Sequence, residues 1–212
     1  MMTIDIFSDI VCPWCFIGKR RLERALGQVD DSVKAQVIWR PFQLNPMMPQ
    51  GGMNRIEYLK AKFGSLETFR TIETQLLSAG EAEEISFAFG KIARTPNTFL
   101  AHRLIWLAGR HGCQDAVVES LFRGYFVEAA DIGSPLTLVP LAERAGLQTE
   151  SFFHGDEGTA EVKQEEAVGR SLGIRAVPYF VLNQADGIAG AQPVDVFVSA
   201  IEKIQARGTV GR

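Results

Sequence analysis

Ser8-Asp9-Ile10-Val11-Cys12-Pro13-Trp14-Cys15-Phe16-Ile17-Gly18 joins a short apolar run, Ile4 to Val11, to a helical pattern from Pro13 to Leu26. The run reads as a mostly buried strand. Two cysteines three positions apart lie on one face of a helix. Cys12 falls at the expected N-cap and Pro13 at the first helical position, where a fixed φ and a missing N–H do no harm. A sulfur at that point faces unpaired backbone N–H groups and the positive end of the helix dipole, both of which favour thiolate over thiol. The thiolate is the attacking species in disulfide exchange, and Cys15 is within reach to resolve a mixed disulfide.

Outward from this stretch, the helix sends Phe16, Ile17, Leu22, Ala25 and Leu26 toward a core and leaves Lys19, Arg20, Arg21 and Arg24 for solvent. Ala35 to Phe42 reads as a second strand, completing a β-α-β unit with a right-handed crossover. Asn45 to Asn54, rich in Pro, Gly and Met, is a loop and the clearest internal boundary. From Arg55 to about Ala145 every pattern is helical: 54–63, 66–79, 97–110, 115–130 and a short helix opened by Ser134-Pro135. A further helix spans Asp156 to Leu172. Strands then return at Val177 to Leu182 and Ile188 to Ala191, joined by an Asp186-Gly187 turn signal. Pro193 begins a closing helix with Val194, Phe197, Val198, Ile201 and Ile204 as its apolar stripe, and residues 206–212 are expected to fray. The order predicts an α/β sheet domain, residues 1–45 and 156–212, interrupted by a helical insertion, residues 46–155.

With 212 residues, 46% hydrophobic and 22% charged, the composition is that of an ordinary soluble globular protein. A formal net charge of -3 gives no general pull toward nucleic acid or an anionic membrane, and no apolar run approaches the ~18 residues of a spanning helix. Met1-Met2-Thr3-Ile4-Asp5 enters a strand at once, without the features of a secretory signal, so a cytoplasmic location is expected. Three cysteines are no disulfide scaffold, and in a reducing compartment the pair at 12 and 15 reads as redox-active. Half of a zinc site is the competing reading. It would need two more ligands from Cys113, His102, His111 and His154, none of which stands in a paired pattern, so no metal is expected.

The active-site stretch resembles that of DsbA-like oxidoreductases of the FrnE type, many of them cytoplasmic. Arg40 to Pro46 (R-P-F-Q-L-N-P), Asn97 to Leu104 (N-T-F-L-A-H-R-L), Gly173 to Phe180 (G-I-R-A-V-P-Y-F) and Gly190-Ala191-Gln192-Pro193 are similar to later segments of that family, in order along nearly the whole chain. The resemblance implies a thioredoxin-like fold with an inserted all-helical domain and thiol–disulfide oxidoreductase activity. It also implies a cis proline at Pro178, set against the active-site sulfurs, with the Val177 backbone open to an extended substrate. That accounts for a proline at a strand start, where it cannot donate to the ladder.

Kappa-class glutathione transferases and hydroxychromene-carboxylate isomerases share this superfamily but typically carry serine where Cys12 stands and lack the second cysteine. Their glutathione-dependent transferase or isomerase chemistry is the alternative reading, and a non-catalytic binding module is a third. On the first reading Cys12 and Cys15 are catalytic, with Trp14, Val177, Pro178, Asn45 and Gln192 as substrate contacts. No cofactor is bound, glutathione is admitted as a redox partner, the substrate is a thiol- or disulfide-containing protein or small molecule, and a homodimer is compatible. Ordinary alternatives stand beside several of these residues. Trp14 serves docking or helix-start packing equally well, and Asn45 and Gln192 read also as loop and cap. Asp9 either opposes the Cys12 thiolate or, as the preferred reading, orders the turn. His102 reads as a satisfied, partly buried histidine rather than a base, and Cys113 as incidental to turnover.

Overall fold

Along β1 (Met2–Ser8), Met2, Ile4 and Ile6 alternate with Thr3 and Asp5, and the first set is buried. That period sends successive side chains to opposite faces of a sheet. A computed structural model describes residues 1–30, 32–149 and 151–209 and places β1 inside a four-stranded sheet of order β2-β1-β5-β6. β2 (Ala35–Pro41) runs parallel to β1, from Met2 opposite Ala35 to Ser8 opposite Pro41, and α1 (Pro13–Leu26) makes the crossover. β5 (Tyr179–Leu182) lies antiparallel on the other side of β1, followed by β6 (Asp186–Ala189), antiparallel to β5.

The two faces are covered differently. α1 and the closing helix α8 (Val194–Thr209) share one face, where Phe180 meets Phe197 edge-on with ring centres 4.8 Å apart. α7 (Thr159–Ser171) lies against the other, so close that a β-carbon on Gly169 would stand 2.7 Å from the Phe7 ring. Between β2 and α7 come α2 (Arg55–Phe63), α3 (Leu66–Glu81), α4 (Phe99–Arg110), α5 (Gln114–Phe126) and α6 (Pro135–Arg144). Asn54, Ser65 and Ser134 cap three of these by accepting first-turn N–H groups, and Pro135 occupies a first helical position. Phe16 of α1 stacks on Phe122 of α5 at 5.0 Å, and Phe126, Phe87 and Phe89 extend the aromatic core into the helices. α1 is therefore a wall shared by the sheet and the helices. This is the thioredoxin-like α/β fold with a helical insertion.

Several elements depart from the sequence expectations. β1 stops at Ser8, and residues 9–11 turn, with the Cys12 N–H bonded to the Asp9 carbonyl at 3.0 Å. β2 ends at Pro41, one residue before the Phe42 expected, and Asn45 lies in the following loop. The segment expected to be wholly helical contains β4 (Arg94–Thr95), paired with β3 (Met53–Asn54), and two-residue strands are too short to carry a period. The β5–β6 turn is built on Asn183 and Gln184, both at positive φ (49° and 59°), with the Ala185 N–H on the Leu182 carbonyl. Asp186-Gly187 belongs to the β6 arm and does not form the turn. β5 starts at Tyr179, two residues later than expected. α8 stays helical to Thr209 where fraying was expected from 206, and residues 210–212 lie outside the described residues. Among the described residues no helix is long and apolar enough to cross a membrane.

Candidate active site

Local backbone geometry sets the two cysteines at the head of α1. Cys12 is the N-cap in an extended conformation (φ -95°, ψ 110°), Pro13 opens the helix, and no acidic residue stands in the first turn. All three cysteines are free. The Cys15 thiol, hydrogen-bonded to the Cys12 sulfur, is the main cause that holds the Cys12 pKa below that of an ordinary cysteine. Burial works against it, the Cys15 N–H assists, the Asp9 charge opposes, and Lys62 of α2 assists. Cys15 moves the other way: burial, the hydrogen bond given to Cys12 and the Cys12 charge hold it well above the usual cysteine range. The Ser8 hydroxyl and the Asp9 backbone pull weakly downward. The chief support of a Cys12 thiolate is thus its partner thiol, ahead of the helix terminus emphasised by the sequence. Both cysteines are buried, at 5% and 1% exposed, and Phe16 turns away to the aromatic core.

Across from the sulfurs the Val177–Pro178 bond is cis, and the Val177 carbonyl accepts a hydrogen bond from Cys12 Sγ at 3.5 Å. Gly18 lets this side of α1 approach closely: a β-carbon there would come within 3.1 Å of both Pro178 and Phe180, which would have to give way by a few tenths of an ångström. Trp14 sits half-buried in the first turn, packed against the core. The loop after β2 is tied to the active-site turn by the Leu44 N–H, which donates to Asp9 Oδ2 at 2.7 Å, and half-buried Asn45 follows it. Gln192 is exposed, and its amide donates to the Ala189 carbonyl at 2.8 Å, so its side chain folds back on β6 instead of standing before α8.

Lys19, Arg20 and Arg21, expected to form a solvated face, are held in ion pairs because helices distant in sequence pack over them. Lys19 is buried among Glu23, Asp115 and Glu119; Arg20 pairs with Glu23 and Glu119. Arg21 bonds Glu83 and the Ala191 carbonyl, tying the loop before α8 to both α1 and the helices. Asp9 combines both roles considered for it, ordering the turn and opposing the Cys12 thiolate. His102 is fully buried yet not satisfied: Nε2 lies 3.4 Å from Asp9 Oδ1, and neither atom has a hydrogen-bond partner. Cys113 caps α5, its sulfur on the Ala108 carbonyl at 3.8 Å. Lys62 and Ser8 were missed by sequence reasoning. An exposed lysine on a remote helix carries no local sign of facing a cysteine, whereas a lone hydroxyl closing an apolar strand just before the motif was such a sign. Among the described residues no group of three or more His, Cys, Asp or Glu could hold a metal ion.

A family model for the DSBA-like thioredoxin domain matches residues 3–202. The structure of a probable DsbA oxidoreductase from Streptomyces coelicolor is similar, with 32% identity, a TM-score of 0.88, and coverage of 97% of this chain and 91% of that one. An uncharacterized Bacillus subtilis (strain 168) protein, YwbO, is 28% identical over 208 residues, which are 96% of this chain and 98% of that protein. The cytosolic disulfide reductase DsbM from Pseudomonas aeruginosa, solved with GSH, shares the fold at 19% identity and a TM-score of 0.67, covering 97% of this chain and 99% of that one.

Proposed function

We propose that this chain, which belongs to the DSBA-like thioredoxin-domain family, is a thiol–disulfide oxidoreductase in which Cys12 attacks and Cys15 resolves. One observation carries the reading: a pair of free cysteines beside the Val177 carbonyl, Cys12 held more acidic chiefly by the hydrogen bond from Cys15, and Cys15 held protonated chiefly by burial and then by that same bond. The Cys12 thiolate attacks one sulfur of a substrate disulfide; that S–S bond breaks, and the departing sulfur leaves as a thiolate that takes up a proton. A mixed disulfide now joins Cys12 to the substrate. Forming it removes the Cys12 charge and the hydrogen bond, two of the three causes that kept Cys15 protonated. Cys15 then gives up its proton, attacks the Cys12 sulfur and expels the second substrate thiolate. Two electrons have passed to the substrate, and the Cys12–Cys15 disulfide remains. The reverse sequence oxidises a substrate dithiol.

Two equivalents of a thiol would return the disulfide to its reduced form, and we assign glutathione that part as a redox partner, not a bound cofactor. Supporting this is a disulfide reductase of the same fold solved with GSH. In the substrate groove we assign the Val177 backbone, Pro178 and Trp14 as contacts and Asn45 as an edge residue. Gln192 joins them only if its amide leaves the Ala189 carbonyl. The segments from Ser8 to Gly18, Arg40 to Pro46 and Gly173 to Phe180 further support the FrnE type within the family.

The two cysteines are expected to behave asymmetrically on substitution. Cys12→Ser abolishes exchange, because a serine hydroxyl is neither ionised nor redox-active near neutral pH. Cys15→Ser still attacks and then stalls as a glutathione mixed disulfide, a mass increase that dithiothreitol removes. An adduct that forms only on Cys15 reverses the roles. Glutathione conjugation by the wild type with no adduct on either variant replaces this reading with the transferase or isomerase alternative.

A further inference from the structure

The active-site turn rests on two buried ionisable side chains that the exchange steps leave unused. Asp9 and His102 are 1% and 2% exposed. Asp9 Oδ2 accepts the Leu44 N–H, but Oδ1 accepts nothing, and His102 Nε2, 3.4 Å from it, is likewise without a hydrogen bond. A buried carboxylate oxygen with no partner is strongly unfavourable, while attraction between opposite charges at this distance needs no hydrogen-bond alignment. On His102's own helix Ala101, Leu104 and Ile105 are apolar and buried, and buried Arg103 turns its guanidinium to the Glu157 and Gly155 carbonyls, so the Asp9 carboxylate 3.4 Å away is the charged group set against the imidazole. His102 is also among the residues lining a cavity of about 500 Å³ between β2 and α4, together with Trp39, Arg40, Asp115 and Glu165.

We propose that Asp9 and His102 form a buried ion pair that controls how readily Cys12 attacks, with His102 a positioning residue that acts through the Asp9 carboxylate. The inference rests on the exchange reading of Cys12. While His102 holds its proton, the Asp9 charge is matched, and the Cys12 sulfur is left to the Cys15 thiol and N–H working against burial, with Lys62 as the smallest influence. Once His102 releases the proton, Asp9 stands unmatched and opposes the Cys12 thiolate. The sign agrees with the effect Asp9 already has, which is to raise the Cys12 pKa. Attack consequently rises less steeply with pH than the titration of an isolated thiol.

Other groups near the pair act in identifiable ways. Tyr125 of α5 also feels the Asp9 charge, but burial pushes its hydroxyl up to about 12, so it stays neutral across the working range. Arg55 of α2 is spent on that hydroxyl at 3.1 Å. Arg40, Asp115 and Glu165 lie at the cavity, where Arg40 pairs with Asp5 and Glu165, and Asp115 with Lys19.

The test is the rate of Cys12 alkylation by iodoacetamide at pH 7 in protein carrying Cys15→Ser and Cys113→Ser. Asp9→Asn, which keeps an oxygen for the Leu44 N–H, is expected to speed alkylation by roughly two- to ten-fold, and His102→Gln to slow it by a similar factor. In the Asp9→Asn background, His102→Gln should then change the rate by less than about two-fold. A purely structural role would move both variants in the same direction, and that result, or no change with His102→Gln, overturns the proposal. Should His102→Gln not fold, the C2–H resonance of His102 in the otherwise intact protein decides: Asp9→Asn should move its titration to lower pH, and an unmoved titration overturns the pair. Alkylation needs no turnover, so opposite shifts in a protein without disulfide exchange would keep the pair and remove only the proposed function.

Discussion

The first turn of α1 and the two turns after it are held by opposite means. Around Cys12 and Cys15 there is no acidic side chain within the turn, and the sulfurs are governed by each other, by backbone groups and by charges acting from outside the helix. From Lys19 to Arg24 the helix is held by carboxylates from far along the chain: Glu83 takes Arg21 and Arg24, while Asp115 and Glu119 take Lys19 and Arg20. The reactive end is electrostatically open, so weak influences such as Lys62 and Asp9 can decide the state of its sulfur. The anchored end is heavily compensated and is absent from the causes that set either cysteine. Burial pushes the Lys19 pKa down, but Asp115, Glu23 and Glu119 outweigh it and raise the value above 10.5. A raised lysine contributes its stability below its unfolded value and loses it only as pH rises through the folded one, so the anchor stays intact at any pH where the cysteines work.

This separation can be broken most directly at Lys19. Lys19→Met leaves three carboxylates facing each other over an apolar side chain, and because those carboxylates are partly exposed the expected loss is about 2 kcal/mol rather than that of a fully buried pair. Urea unfolding measures it, and the alkylation rate of Cys12 in the folded variant should not change; a matching change in that rate would mean that the two regions are one. Gly18 sits between them and sharpens the boundary. Gly18→Ala adds a methyl against Pro178 and Phe180, offset in part by a better helix residue, for a net loss of about 1 kcal/mol. Because the displaced groups follow the Val177 carbonyl that touches Cys12, exchange should slow as well, and an unaffected exchange rate would detach Pro178 from the site. Arg24→Ala is expected to cost at most about 0.5 kcal/mol, since Arg24 is half exposed and Arg21 still holds Glu83. A loss as large as that at Lys19 would show that the anchor depends on the whole network.

The parts of the site that were legible in the sequence are those whose causes are local. Pro13 after Cys12 marks a helix start, two cysteines three apart share a face, and a proline opening a strand needs a reason; each can be read without knowing what lies across the fold. The expectations that failed depended on partners the sequence does not place. Lys19, Arg20 and Arg21 look like a solvated face until α5 and Glu83 cover them. Gln192 looks like a cap residue until its amide is found on the Ala189 carbonyl. Asp186-Gly187 carries a turn signal, but the pairing of Leu182 with Asp186 moves the turn to Asn183-Gln184, because register is a property of two strands together.

By itself, the sequence determined the β-α-β start, the position of the cysteines on a helix N-terminus, the long run of helices and the return to a hairpin and helix, since period and capping act over a few residues. The tertiary structure alone decided which charges are buried and what faces the sulfurs. Asp9 meets His102 across 93 residues of chain only because the turn after β1 comes to lie beside α4, and an ion pair needs proximity in space, which no local pattern encodes.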